Sequence, residues 1–154
     1  MKIRLLVLAG LLFAAMLLPI TASNAHTVKR LKDRDAVAIE TVIFDYFEGN
    51  GTADRDRLGA AFHEDLAVMV GIIKSENGTL ERRAWHDMPA LLDAWAAVEN
   101  PPGTGRDGEV LHIQTVDGRI ATALFRYTDE FYDAFTLLKH DGQWKIASKA
   151  FIEQ

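Results

Sequence analysis

From Glu109 to the C-terminus the apolar residues recur at every second position, and two Asp-Gly pairs, Asp117-Gly118 and Asp141-Gly142, cut the run into segments. A period of two marks strands with one dry and one wet face. Asp-Gly supplies the two left-handed positions that a tight hairpin turn requires. A meander of four antiparallel strands is therefore expected over 110–116, 119–127, 129–139 and 143–152. Such a sheet has to bury one face, and the upstream sequence holds the elements to cover it.

Val42, Ile43, Tyr46 and Phe47 fall at helical spacing, which predicts an amphipathic helix over 36–48 stopped at Gly49, after a mobile lead-in over 26–35. Asp33 or Asp35 is placed to cap it. Asp54 can cap a second short helix whose buried side is Leu58, Ala61 and Phe62 and which ends near His63. Residues 66–73 are rich in branched side chains and run into Asn77-Gly78, the signature of a further hairpin. Asp87 caps a third helix with Pro89 in its first turn and Leu91, Leu92 and Trp95 on its stripe, ended by Asn100 to Gly103. The fold class expected is α+β, with three N-terminal helices packed on a curved, mainly antiparallel sheet.

The first residues read differently. Lys2 and Arg4 precede an apolar run from Leu5 to Leu18, and Ser23 and Ala25 put small side chains where a signal peptidase cuts. The expected organisation is an export signal over 1–25 and a single domain over 26–154, with a secreted or periplasmic destination and no membrane anchor after cleavage. The chain has no cysteine, so neither disulfides nor a lipidated cysteine can hold or anchor it. Without Lys2 and Arg4, fifteen basic residues face twenty-two acidic ones, and a phosphate backbone would be repelled. Nucleic acid is not an expected partner.

Two stretches carry a family resemblance. One runs from Asp45-Tyr46-Phe47-Glu48-Gly49 through Leu58-Gly59-Ala60-Ala61-Phe62-His63-Glu64-Asp65, and the other is Phe131-Tyr132-Asp133-Ala134-Phe135-Thr136-Leu137-Leu138-Lys139 with Asp141-Gly142-Gln143-Trp144-Lys145-Ile146. Together they resemble the nuclear transport factor two-like superfamily, the cystatin-like cone fold of ketosteroid isomerases, scytalone dehydratase and polyketide cyclases, and within it the branch named "putative lumazine-binding". The resemblance implies a cone-shaped domain around a small-molecule pocket, pairing into a homodimer through its outer sheet face. The isomerases of this superfamily use a tyrosine on the first helix, which Tyr46 matches, and an aspartate base on the first strand. That base position falls near Val70, beside Met69 and Gly71, where no side chain takes a proton. The resemblance therefore implies the fold and leaves the isomerase base unmatched.

Several residues are candidates for the site. On the strand over 129–139 one face reads Phe131, Asp133, Phe135 and Leu137, a carboxylate among apolar neighbours, which is either a ligand anchor or acid or a satisfied structural acid. His63 leaves the second helix where it meets the first strand, to reach the pocket mouth or to bond the last helical carbonyls. Tyr46 and Phe47 are either pocket floor or core, and Trp85, just before the third helix, is free to stack on a flat ring or to pack. Lys149 alternates with Ile146, Ser148, Ala150 and Ile152, which sends it with Lys145 to the solvent or dimer face. No histidines have metal-ligand spacing, and neither a nucleophile elbow nor a phosphate loop occurs, so no metal or cofactor is expected. The leading expectation is a binding module for a small apolar or aromatic ligand held by Tyr46, Phe47, Trp85, Phe131, Asp133 and Phe135. The alternatives are a metal-independent dehydratase, cyclase or isomerase working through His63 and Asp133, and a dimeric interaction module with a filled cone.

Overall fold

The computed structural model describes the chain from Ala22, with side chains from Arg34 onward. The segment read as an export signal lies outside the described residues as far as residue 21. Six strands form one sheet in the order β2-β1-β6-β5-β4-β3, where β1 is Val68–Lys74, β2 Leu80–Trp85, β3 Gly108–Val116, β4 Ile120–Tyr127, β5 Phe131–His140 and β6 Gln143–Glu153. All neighbours are antiparallel except β1 and β6, which run parallel. Three helices, α1 (Ala22–Thr52), α2 (Arg55–Ala61) and α3 (Met88–Ala96), cover the inner face. The expected α+β cone is thus the observed architecture.

The turn chemistry explains the meander. Asp117 and Gly118 have φ of 56° and 61°, and Asp141 and Gly142 have 48° and 79°, the paired left-handed conformations that match the twist of the flanking strands. Asp54 and Asp87 each accept the N–H three residues on, from Arg57 and Ala90, and so cap α2 and α3. The inner residues of β4 and β5, Ala121, Ala123 and Phe125 with Phe135 and Leu137, meet Ile39, Ile43 and Phe47 of α1 and Leu58 and Phe62 of the α2 segment in one core.

Two expectations about α1 are corrected. The helix does not begin at residue 36 after a mobile lead-in but is continuous from Ala22, because a helical backbone needs no apolar stripe where the residues themselves tolerate it. It also passes through Gly49 to Thr52, and ends with Ala53 at φ 54° while the Asp54 N–H returns to the Gly49 carbonyl. Gly49 serves close packing instead: a Cβ there would stand 3.2 Å from Leu58 of α2.

Asp35 is no cap. It lies inside α1, where its carboxylate takes hydrogen bonds from Lys139 Nζ at 2.7 Å and Trp144 Nε1 at 2.9 Å, tying the helix to the β5-β6 hairpin. Burial pushes the Asp35 carboxyl up, but these bonds and the Lys139 charge outweigh it and hold it below its ordinary 3.8. A depressed carboxyl adds stability above the unfolded value, and that stability is lost as pH falls through the folded value. Asp35→Asn is therefore expected to cost about 1–2 kcal/mol at neutral pH and progressively less as the pH drops below 3.8. Urea unfolding midpoints at the two ends of that range check it; a penalty independent of pH would refute the ion pair's role.

Candidate functional site

The inner face of the sheet and the helices enclose a cavity of about 250 Å³. Tyr46, Phe47 and Asn50 reach it from α1, Met69 and Ile73 from β1, Trp85 from β2, and Leu91 and Trp95 from α3. Tyr127, Phe131, Asp133, Lys149 and Phe151 line it from β4, β5 and β6, and Arg106 from the loop before β3. Its walls are mostly rings: Phe131 meets Phe151 edge to face at 5.4 Å, Phe151 lies 5.8 Å from Trp85, and Phe47 sits 5.2 Å from Tyr127. Such walls suit a flat apolar ligand.

Against them stands one polar cluster. Asp133 is 3 % exposed, Lys149 4 % and Tyr46 8 %. Lys149 Nζ donates to Tyr46 Oη at 2.6 Å and lies 3.2 Å from Asp133 Oδ1. The second contact is an ion-pair distance without hydrogen-bond alignment, so Oδ1 is a buried acceptor with no hydrogen bond. The Lys149 ammonium also faces the rings of Phe151 at 4.6 Å and Tyr46 at 4.7 Å.

Burial dominates the proton affinities of all three groups. It raises the Asp133 carboxyl, against the opposing positive charge of Lys149. It lowers the Lys149 amine against the pull of Asp133, and it lifts the Tyr46 phenol well above its ordinary range, with the Asp133 charge adding to the effect. Both members of the Lys149–Asp133 pair are thus shifted toward their neutral forms.

Of the residues expected at the site, Tyr46, Phe47, Trp85, Phe131 and Asp133 line the cavity together. Phe135 does not: it is buried behind Tyr46, ring centroids 5.7 Å apart, and belongs to the core. The expected meeting of His63 with Asp133 is also corrected. His63 follows α2, its N–H bonds the Ile146 carbonyl, its Nε2 is buried without a partner, and it is not among the lining residues. Of the adjacent pair on β1, Met69 faces the cavity whereas Val70 points outward at 44 % exposure, so neither supplies a base where the isomerases hold one.

The largest correction concerns Lys149, expected on the wet face and found inside. Leu137 pairs with Ile146 but Thr136 with Ser148, so Ala147 is an extra residue bulged out of β6. A one-residue bulge inverts the alternation beyond it. Trp144 and Ile146 point inward before the bulge, and Lys149 and Phe151 after it. The mark in the sequence is faint: Phe151 breaks the even spacing of Trp144 and Ile146, but Ile152 at once resumes it. Arg106 has no comparable mark. Its guanidinium lies 4.0 Å over the Phe47 ring and donates to the Phe47 carbonyl near the end of α1.

The profile of the family described as "Putative lumazine-binding" matches residues 34–152. An NTF2-like protein of unknown function from Shewanella baltica OS155 is 26 % identical, with a TM-score of 0.61 over 79 % of this chain and 94 % of that one. One from Methylobacillus flagellatus KT is 27 % identical, with a TM-score of 0.61 over 79 % and 93 %. A "Putative Scytalone Dehydratase" from Novosphingobium aromaticivorans DSM 12444 shares the fold at 20 % identity, with a TM-score of 0.56 over 82 % and 88 %. Among proteins of curated function no match is found. With nearly all of the described chain aligned to its profile, this protein belongs to the "putative lumazine-binding" family of the NTF2-like superfamily.

Proposed function

We propose that this protein is an exported binder of small flat ring compounds that present a hydrogen-bond donor beside an acceptor. The observation that carries this reading is the buried Asp133–Lys149–Tyr46 cluster within a ring-walled cavity. Asp133 Oδ1 lacks a hydrogen-bond donor and an ammonium has three protons, of which Tyr46 takes one. A ligand that brings an N–H to Asp133 and a carbonyl to Lys149 satisfies groups that are otherwise costly to bury. The lactam edge of a pteridinedione, the class named by the family description, has that pattern.

Export follows from the basic start, the apolar run from Leu5 to Leu18 and the small residues Ser23 and Ala25. The destination is then secreted or periplasmic. Pairing of two copies through the outer sheet face is favoured by the exposed Val70, Leu124, Tyr132 and Ile152 on that side. Light scattering reads it directly: a monomer mass at micromolar concentration would reject the pairing.

The binding test is a titration of the protein with lumazine, following the fluorescence of Trp85 and Trp95, both of which line the cavity. Saturable quenching that weakens by about tenfold or more in Asp133→Asn, where an acceptor is exchanged for an amide, is the expected result. Absence of saturation with lumazine and with simpler lactams would sink the reading.

A further inference from the structure

Among the described lysines Lys149 stands apart. Lys139 is held by Asp35, Lys145 reaches the Gly59 carbonyl, and Lys74 bonds the Gln154 carbonyl at the edge of the sheet. Lys149 alone is buried in a cavity large enough for a two-ring ligand, and both of its polar neighbours, a carboxyl and a phenol, can exchange protons with it. The geometry points to Lys149 as a nucleophilic amine that captures the carbon of an aldehyde or ketone as an imine inside the cavity. This inference rests on the ligand-pocket reading and adds a covalent step to it.

The step needs a neutral amine, a place for the carbonyl oxygen, and a group to carry protons. The Lys149–Asp133 pair has zero net charge whether the proton sits on nitrogen or on oxygen, so its transfer to Asp133 frees the amine without bringing charge into the cavity. Burial favours that transfer from both ends, raising Asp133 and lowering Lys149. The Nζ lone pair then forms a bond to the carbonyl carbon as the C=O π electrons move to oxygen. That oxygen takes the proton held by Asp133, beside the Tyr46 hydroxyl 2.6 Å from Nζ. The Asp133 carboxylate next removes the excess proton from nitrogen and returns it to the carbinolamine hydroxyl. Water leaves as the nitrogen lone pair closes the C=N bond, and the N–H proton still on the resulting iminium passes to the Asp133 carboxylate, which recovers the proton it began with. One carbonyl and one amine become one imine and one water, with no oxidant or reductant. The ring walls disfavour the return of that water.

The test uses 2-naphthaldehyde as the carbonyl probe and 2-naphthalenemethanol as a probe of the same shape that cannot condense. The purified chain is incubated with the aldehyde, reduced with borohydride and mapped by peptide mass spectrometry. The expected result is one adduct per chain, at Lys149, trapped about tenfold or more faster than at any other lysine, and abolished in Lys149→Met and Lys149→Arg. The wild-type map decides even if a variant fails to fold. Adducts spread over Lys74, Lys139 and Lys145 with no preference for Lys149 would overturn the inference. Binding of 2-naphthalenemethanol, followed by tryptophan fluorescence in parallel, then shows whether the pocket reading survives that failure or falls with it.

Discussion

Asp133→Ala is expected to destabilise the protein by about 3–5 kcal/mol, because it leaves the Lys149 ammonium buried without its counter-charge. The nitrogen keeps its bond to Tyr46, but a phenol oxygen does not replace a carboxylate, and the lysine is only 4 % exposed. The double variant Asp133→Leu with Lys149→Met removes both charges, and its stability is expected within about 1 kcal/mol of the parent or above it. Urea unfolding of the two variants and the parent gives both numbers. The ordering is decisive: a pair that can be replaced by apolar residues without loss is not there for stability, as the proposed ligand site requires. If Asp133→Ala cost less than about 1 kcal/mol, Lys149 would have to shed its proton or turn to solvent once the carboxylate is gone, and the role of Asp133 as its buried counter-charge would fail.

Most of the architecture was legible because it is written locally. Asp54 and Asp87 announce helix starts by the one hydrogen bond each makes, and Asp117-Gly118 and Asp141-Gly142 announce hairpins by the backbone angles they alone tolerate cheaply. Phe131 and Asp133 were placed at the cavity because β5 alternates without interruption over the stretch that faces it. Phe135 shares that face but lies deeper, behind Tyr46, and alternation assigns a face without assigning a depth.

What the sequence concealed is non-local. Lys149 depends on a bulge at Ala147, and the bulge depends on how β6 pairs with β5, a relation between residues distant along the chain. Arg106 depends on a loop without periodicity that folds back on the end of α1. There Gly51 makes room for it, since a Cβ at that position would stand 2.5 Å from its guanidinium. His63 misled for a related reason. It does sit at the junction of α2 and β1, but that junction packs against β6 at Ile146, and its imidazole is not among the cavity-lining side chains.

Gly71→Ala is expected to weaken ligand binding by about tenfold to a hundredfold while lowering stability by about 1–3 kcal/mol. Gly71 lies on β1 opposite Phe151 of the parallel strand β6, and a Cβ built on it would stand only 2.2 Å from the Phe151 ring. The backbone there is ordinary strand, so the constraint is space and not conformation. Trp85 and Phe131 flank the ring, which leaves the cavity as the direction open to it, and the volume meant for the ligand is then filled by the protein itself. Lumazine titration and urea unfolding of Gly71→Ala separate the two effects, and Phe151→Leu in the same chain is expected to restore binding by vacating the contested space. Val70→Ala, one residue away on the outer face, is expected to leave binding unchanged. If the two positions behaved alike, the ligand would not be seated against Phe151, and the cavity would have lost its claim to be the binding site.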